Sequence, residues 1–403
     1  MVKVNPAGRE FAFNLLRETL KVDAGKNVFI SPASISVALA MTMNGARGQT
    51  LKDMAQALGL PTDEHQLHLI NSTYAKLLKR LTEGEPKPLQ QTRCCGGEEH
   101  CAVPKQPAEE TNVKLLIANS LWSRLGVKFK DEFLAANKQH FNAEVTALNF
   151  ADPTAPKIIN NWCHENTNGK ISEIVDKISD DTILFLLNAI WFYGPWTYKF
   201  DPAATKEEDF KLSDGSTKKQ PLMHQEGEYR YLRGDKFQAV SLPYGEDQRF
   251  SMYFLLPDED SNLCELQSKL NASNWSNWQA QFASTPGEIR IPRFKLEYSL
   301  SLNEVLKSMG MGSAFDKGAA DFSGMIAPPD RPYVSNVKHK TFVEVSEKGT
   351  EAAAVTSVEV GIECVRIPPQ PFSMTVNRPF ACVIQDNNTG TILFLGSVVD
   401  PSK

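Results

Sequence analysis

Hydrophobic and polar positions change their period along this 403-residue chain. Residues 6–82 follow helical spacing. Phe11, Leu15 and Leu16 form one stripe of a first helix ending at about Lys21, and SPASIS offers a capped start for a buried helix running through Met43. Further helices are predicted over 50–58 and 63–82. From residue 111 onward strands mix in: VKLLIANSLW and EVTALNF read as strands, helices fall near 130–140 and 155–168, and TILFLLNAIWFYG is strongly apolar. The second half adds FSMYFLLP, EIRIPRFKLEY, TFVEVSE, FSMTV, FACVIQD and TILFLGSVV as strand candidates. Helices first and strands later predict an α+β layout with one or more large sheets, and no repeat or linker divides it.

One stretch near the C-terminus fits neither class cleanly. Thr341 to Val345 alternates and reads as a strand, which Glu347, Lys348 and Gly349 interrupt. Beyond it the residues sort by parity. Thr350, Ala352, Ala354, Thr356, Val358, Val360 and Ile362 are apolar or hydroxyl-bearing, whereas Glu351, Ser357, Glu359 and Glu363 share the alternate positions with Ala353, Val355 and Gly361. As a strand the segment has one buriable face and one wet face. Pro368, Pro369 and Pro371 close it, and it needs a neighbour to bond with. Pattern alone leaves an ordinary sheet strand and a conditional one both open.

Composition narrows the function classes. With 41% hydrophobic and 23% charged residues the chain is ordinary globular material, and a net charge of −5 gives no electrostatic case for nucleic acid. The longest apolar run, Ile183 to Tyr193, contains Asn188 and is too short to span a bilayer, so no membrane partner is expected. The N-terminal helix lacks the apolar core of a signal peptide, and seven scattered cysteines do not form a disulfide framework. A cytoplasmic address is expected, although a secreted mature chain that has lost its leader would look the same. Residues 83–111, rich in Pro, Gly, Glu and Gln, read as a flexible surface insertion.

Catalytic motifs are sparse. No G-x-S-x-G, H-E-x-x-H, Walker or G-x-G-x-x-G pattern occurs, so no enzyme activity and no cofactor are expected. Ser335 and Lys338 match S-x-x-K without its partner motifs. His65 and His68 beside Glu64 read as a solvated helix face, and Lys76, Lys79 and Arg80 as another rather than a polyanion site. Cys94, Cys95, His100 and Cys101 are soft ligands within eight residues, yet their spacing matches no closed metal site, and an exposed, redox-sensitive loop is the better reading.

Five separate motifs resemble the serpin family, in the family's order. NVFISPASISVALAMTMNGARGQT is similar to its helix B region, NNWCHENTNGKI to its helix F pattern, and LNAIWFYGPWTYKFDPAATKEEDF to the third strand of sheet A and its exit. VKHKTFVEVSEKGTEAAA resembles the fifth strand and hinge, and VNRPFACVIQDNNTGTILFLGSVVDP the C-terminal signature, with Ala381 where a bulkier apolar residue is usual. The resemblance is to intracellular ovalbumin-type inhibitory members. It implies a single domain over 1–403: helices packed on a large five-stranded sheet A, two further β-sheets, an insertion at 83–111 after helix D, and a reactive-centre loop at 347–371.

What the resemblance implies for residues follows. The loop is bait that inserts into sheet A once a serine protease has cut it, and the small, uncharged parity set fits that fate; members that have lost inhibition tend to place bulky or charged residues in the hinge. Glu347, Gly349, Thr350, Glu351, Ala352, Ala353 and Ala354 resemble the hinge. Ser31, Ser34, Asn188 and His339 resemble the polar cluster beneath the sheet opening, and Trp196, Arg293 and Glu347 the group at its top, with an Arg293–Glu347 ion pair expected. The family's usual spacing from Gly349 puts the scissile bond at Glu363–Cys364. A carboxylate there suits a protease that cleaves after acidic residues, granzyme-B-like or glutamyl-specific. Arg366, which would suit a trypsin-like pocket, is the alternative, followed by Ile362 or Cys364. A monomer is expected. A non-inhibitory binding protein or chaperone of the same fold is the rival reading.

Overall fold

The computed structural model describes residues 8–83, 113–179, 182–326, 331–350 and 370–403. Among the described residues, eight helices of seven residues or more run in chain order: α1 Arg9–Val22, α2 Pro32–Met43, α3 Gly48–Ala57, α4 Leu67–Glu83, α5 Asp131–Phe141, α6 Ala155–Asn166, α7 Leu263–Lys269 and α8 Ala272–Gln281. Two four-residue helices, α9 Asn303–Leu306 and α10 Gly312–Phe315, follow. The strands are β1 Val28–Ile30, β2 Lys114–Arg124, β3 Glu144–Leu148, β4 Leu184–Pro195, β5 Lys206–Lys211, β6 Thr217–Gly234, β7 Phe237–Tyr244, β8 Phe250–Pro257, β9 Ala283–Pro292, β10 Phe294–Ser301, β11 Val334–Val345, β12 Gly349–Thr350, β13 Phe372–Thr375, β14 Phe380–Asp386 and β15 Ile392–Val398. Among the described residues no helix is long and apolar enough to cross a membrane.

Five long strands, in the order β10-β11-β4-β2-β3, build one sheet, and the two-residue β12 attaches to β4. The remaining strands form a nine-stranded sheet, in which the 18-residue β6 pairs with β5, β7 and β9 and so joins what the resemblance implies as two separate sheets. Four of its strands, β1 and β5 to β7, are absent from the strand candidates above: β1 is only three residues long, and β6 is too polar to show a period-two signal. EIRIPRFKLEY divides at Arg293 into β9 and β10, which belong to different sheets. Pro292 has no N–H to continue a ladder, and Arg293 instead donates its backbone N–H to Pro221 O at 2.9 Å.

The strand β4 explains its own unbroken hydrophobicity. All twelve of its residues are buried because both faces are covered. Leu184, Leu186, Ile190 and Phe192 join the main core, while Phe185, Leu187, Ala189, Trp191 and Tyr193 join a second cluster beneath α6 with Ile159, Cys163 and Trp122. The helix α2, buried at every residue, lies against the main-core face; Ser31 caps it by accepting the Ser34 N–H at 3.3 Å, and Pro32 opens its first turn.

Candidate functional site

Strands β11 and β4 run parallel in register from Val334–Leu184 to Phe342–Trp191, with one bulge, and no other described strand lies between them. That register sets His339 directly across from Asn188, and the antiparallel pairing of β2 with β4 sets Asn119 across from Asn188 on the other side. Three polar side chains therefore form a row across three strands, on the face that meets α2.

The row is fully bonded. The Ser31 backbone N–H donates to His339 Nε2 at 3.0 Å, so Nδ1 carries the ring proton and donates it to Asn188 Oδ1 at 2.7 Å. The Asn188 amide then gives one N–H to Ser34 Oγ at 2.5 Å and the other to Asn119 Oδ1 at 2.6 Å. Ser31 Oγ donates to Leu393 O at 2.6 Å, and Thr341 Oγ1 to Phe29 O at 2.5 Å. Burial pushes the His339 pKa down to about 3, so the ring is neutral and acts as one donor and one acceptor. The structure thus brings Ser31, Ser34, Asn188 and His339 together. Asn119 and Thr341 were not picked out from the sequence. The available signal was Asn119 itself, a lone amide on the core-facing parity of Leu115 and Leu121.

A second cluster caps the sheet. Trp196 stacks on Tyr244 at 4.4 Å between ring centroids and donates its indole N–H to Ser346 O at 2.9 Å. The Arg293 guanidinium pairs with Glu347 Oε1, which also accepts from Thr205 Oγ1 at 2.7 Å. Glu347 is only 6% exposed. Burial alone would raise its pKa, but the hydrogen bonds from Arg293 and Thr205 and the guanidinium charge outweigh this and hold the carboxyl below its ordinary value. Its position, unlike that of a solvated ion pair, is also fixed through the backbone: Phe200 N–H donates to Glu347 O at 2.9 Å and Trp196 N–H to Lys348 O at 3.1 Å.

From this anchor the chain reverses. Ser346 and Gly349 exchange backbone bonds of 2.9 and 3.1 Å, and Gly349–Thr350 then pairs antiparallel with Pro195 and Gly194 at the end of β4. Gly349 has φ +130°, and a Cβ there would collide with the Gly194 carbonyl and the Pro195 Cα, so the turn requires glycine. The other hinge positions, Glu351 and Ala352 to Ala354, lie outside the described residues, as do Ile362, Glu363, Cys364, Arg366 and the cysteine-containing segment with Cys94, Cys95, His100 and Cys101.

The cover over the opposite face is pinned too. Asn160 Oδ1 accepts the N–H groups of Ile174 and Val175 at 2.9 and 3.0 Å, folding the segment after α6 back under it. Lys340, 8% exposed on β11, bonds Glu173 O and pairs with Glu297 at 2.6 Å. Its presence beneath α6 was not anticipated.

Two weaker motifs dissolve. Ser335 and Lys338 lie on one strand, about 10 Å apart at that spacing, and Ser335 Oγ accepts the Ile183 N–H at 3.0 Å, so no Ser–Lys dyad forms. His68 Nδ1 contacts His65 O at 2.9 Å and Glu64 pairs with Arg47 at 2.7 Å, which disperses that group over an exposed surface.

The comparisons with known proteins agree with this arrangement of closed sheet, polar row and anchored Gly349–Thr350 turn. A family model described as serpin (serine protease inhibitor) matches residues 6–401. Human Serpin B11 is 32% identical over 411 residues, covering 100% of each chain. The native-state structure of tengpin, a thermophilic serpin, shares 30% identity with a TM-score of 0.82 over 99% of this chain and 95% of its own. Human thyroxine-binding globulin, solved in complex with thyroxine, shares 27% identity with a TM-score of 0.83 over 99% of this chain and 98% of its own. The chain belongs to the serpin family, a family of protease inhibitors rather than enzymes.

Two outcomes follow from the polar row. Asn188→Ala strands His339, Ser34 and Asn119 together, at about 1–3 kcal/mol for each buried group left unpaired, and is expected to lower the denaturant midpoint of the uncleaved protein. Acid supplies the second. Above about pH 6.5 the ring is neutral whether folded or not; below it the unfolded chain takes up a proton that the folded chain refuses until about pH 3. Stability should therefore decline on acidification through this window, by up to about 1.4 kcal/mol per pH unit from this group. Midpoints measured against pH should show a shallower decline for His339→Gln, and superimposable profiles would exclude the effect.

Proposed function

We propose that the protein is a suicide-substrate inhibitor of serine proteases. The protease serine attacks the Glu363 carbonyl, forming an acyl ester while the Glu363–Cys364 peptide bond breaks and the Cys364 amine leaves with a proton. The freed arm then enters between β4 and β11, carrying the tethered protease with it. The observation that best supports this is the antiparallel pairing of Gly349 and Thr350 with Pro195 and Gly194, because a strand entering from the hinge must run antiparallel to β4. Continuing that register downward sets Ala352 opposite Phe192, Ala354 opposite Ile190, Thr356 opposite Asn188 and Val358 opposite Leu186. The small, uncharged parity set thus meets the main core, and Thr356 brings a hydroxyl to the polar row.

The energetics are sufficient. Insertion replaces one parallel ladder with two antiparallel ones, a gain of about a dozen hydrogen bonds at roughly 0.5–1.5 kcal/mol net each. A folded protease is stable by only about 5–15 kcal/mol. An arm of about 12 residues at ~3.3 Å each moves its cargo ~40 Å. Specificity after acidic residues follows from Glu363, with a trypsin-like target if Arg366 is read instead. A cytoplasmic setting is supported by Cys163, Cys264 and Cys382, all free thiols, and by the absence of any disulfide among the described residues. The similarity to thyroxine-binding globulin supports the second reading, a ligand-binding member that keeps the fold and omits the trap.

Incubation with a glutamyl-specific serine protease should give a complex that survives SDS, releasing a C-terminal fragment that begins at Cys364. A fragment beginning at Ile367 would move the specificity residue to Arg366. Cleavage with no complex and no rise in melting temperature would favour the ligand-binding reading. Thr356→Arg places a charge opposite Asn188 and should convert the inhibitor into a substrate, cleaved at the same bond but with the covalent complex reduced at least about tenfold; undiminished complex would refute the register.

A further inference from the structure

Away from the hinge, one group of side chains on the nine-stranded sheet has no part in the mechanism above. The antiparallel pairing of β6 with β9 places Glu226 directly across from Glu288 and His224 across from Arg290. Like charges opposite one another weaken a sheet, and Arg290 offsets this only partly: it reaches Glu288 at 3.5 Å and Glu208 at 3.6 Å. Three carboxylates facing one guanidinium give the patch an excess of acidic groups.

His224 Nε2 is shielded from solvent and has no hydrogen-bond partner. It points between the two carboxylates, 3.5 Å from Glu288 Oε2 and 3.9 Å from Glu226 Oε1, and the three donor atoms lie within 4.8 Å of one another. These spacings are long for hydrogen bonds to a ring nitrogen. They suit ligands sharing one ion, since metal–ligand bonds of about 2.0–2.2 Å at tetrahedral angles separate neighbouring donors by about 3.4 Å. Glu288 Oε2 also receives the long 3.5 Å contact from Arg290, while the other oxygen, Oε1, accepts from Ser373 Oγ on β13 at 2.7 Å. That bond lowers the Glu288 pKa and aims Oε2 at the imidazole.

We propose that His224, Glu226 and Glu288 form a binding site for a first-row divalent cation of the zinc type, with Ser373 as its positioning residue. One imidazole and two carboxylates favour zinc over magnesium, whose coordination is dominated by oxygen and water. Three protein ligands leave a fourth position for water. Glu226, three-quarters exposed, supplies the arm that swings onto the ion.

The test must silence the other soft ligands, so the full-length chain carries Cys94→Ser, Cys95→Ser, His100→Gln and Cys101→Ser. Zinc titration of this background should show one bound ion that magnesium does not displace. Binding should weaken at least about tenfold with His224→Gln or Glu226→Gln, and about 10-fold or more with Ser373→Ala. Cobalt in place of zinc should give tetrahedral ligand-field bands without a thiolate charge-transfer band. Equal affinity in the parent and in His224→Gln and Glu226→Gln, or a thiolate band from the bound cobalt, would overturn the assignment. Glu226 is exposed, so its variant reports even if His224→Gln fails to fold.

Discussion

The bond between His339 and Asn188 is the constraint on which the rest of the molecule depends, because it crosses the seam between β11 and β4 inside an otherwise apolar interior. A parallel ladder alone would hold the two strands together. The side-chain row adds something a greasy contact cannot, since each of its hydrogen bonds has one donor, one acceptor and one geometry. With both Asn188 N–H groups, its oxygen and both ring nitrogens engaged, no member can leave without stranding another. A closed seam of this kind resists partial opening. It can nonetheless be exchanged whole, because hydrogen bonds lost to one strand can be remade with another that brings equivalent groups to the same level.

The hinge solves a complementary problem. Under the proposed insertion, a chain that enters the sheet in one register needs its first residues fixed and its direction set. Glu347 is held by a guanidinium, a hydroxyl and its own backbone, and Trp196 clamps the preceding carbonyl. Gly349 then makes a reversal that no residue with a Cβ could make at that distance from β4. Arg293 reaches Glu347 only because Pro292 ends one strand and turns the chain toward another sheet, so a break that looks like a defect in a strand pattern is what delivers the cation.

Legibility from sequence divides along physical lines. Helices α1 and α2, the core strands β4, β14 and β15, and the helical-then-β order were readable, since each either carries an amphipathic stripe or is apolar throughout. The polar row was readable only in part. His339 and Asn188 stand out once a family pattern points to them, whereas Asn119 depends on knowing which strand lies beside β4, and strand adjacency is not written in local pattern. The same limit hid the split of β9 from β10, the long polar β6, and Lys340, whose burial follows from the loop after α6 passing over it. The Ser335–Lys338 match, already without partner motifs in the sequence, is dissolved by the strand geometry, which sets the two residues apart along β11.

The two faces of β4 bear unequal duties, and this inequality determines how the seam can open. On one face lies the main core, continuous with α2 and the nine-stranded sheet, which cannot separate without unfolding the protein. On the other lies a small cluster held by one helix, where Trp162 meets Trp122 edge-on and Ile159 and Cys163 pack over Phe185 to Tyr193. Under the proposed insertion a strand entering beside β4 would have to displace one cover, and the cluster beneath α6 is the smaller of the two. Lys340 is the tie between that cover and the strand that must move, because its buried ammonium bonds the segment after α6 from a position on β11. Lys340 thereby couples the cover to β11, since a rearrangement of either one under the proposed insertion has to break that bond or carry it along.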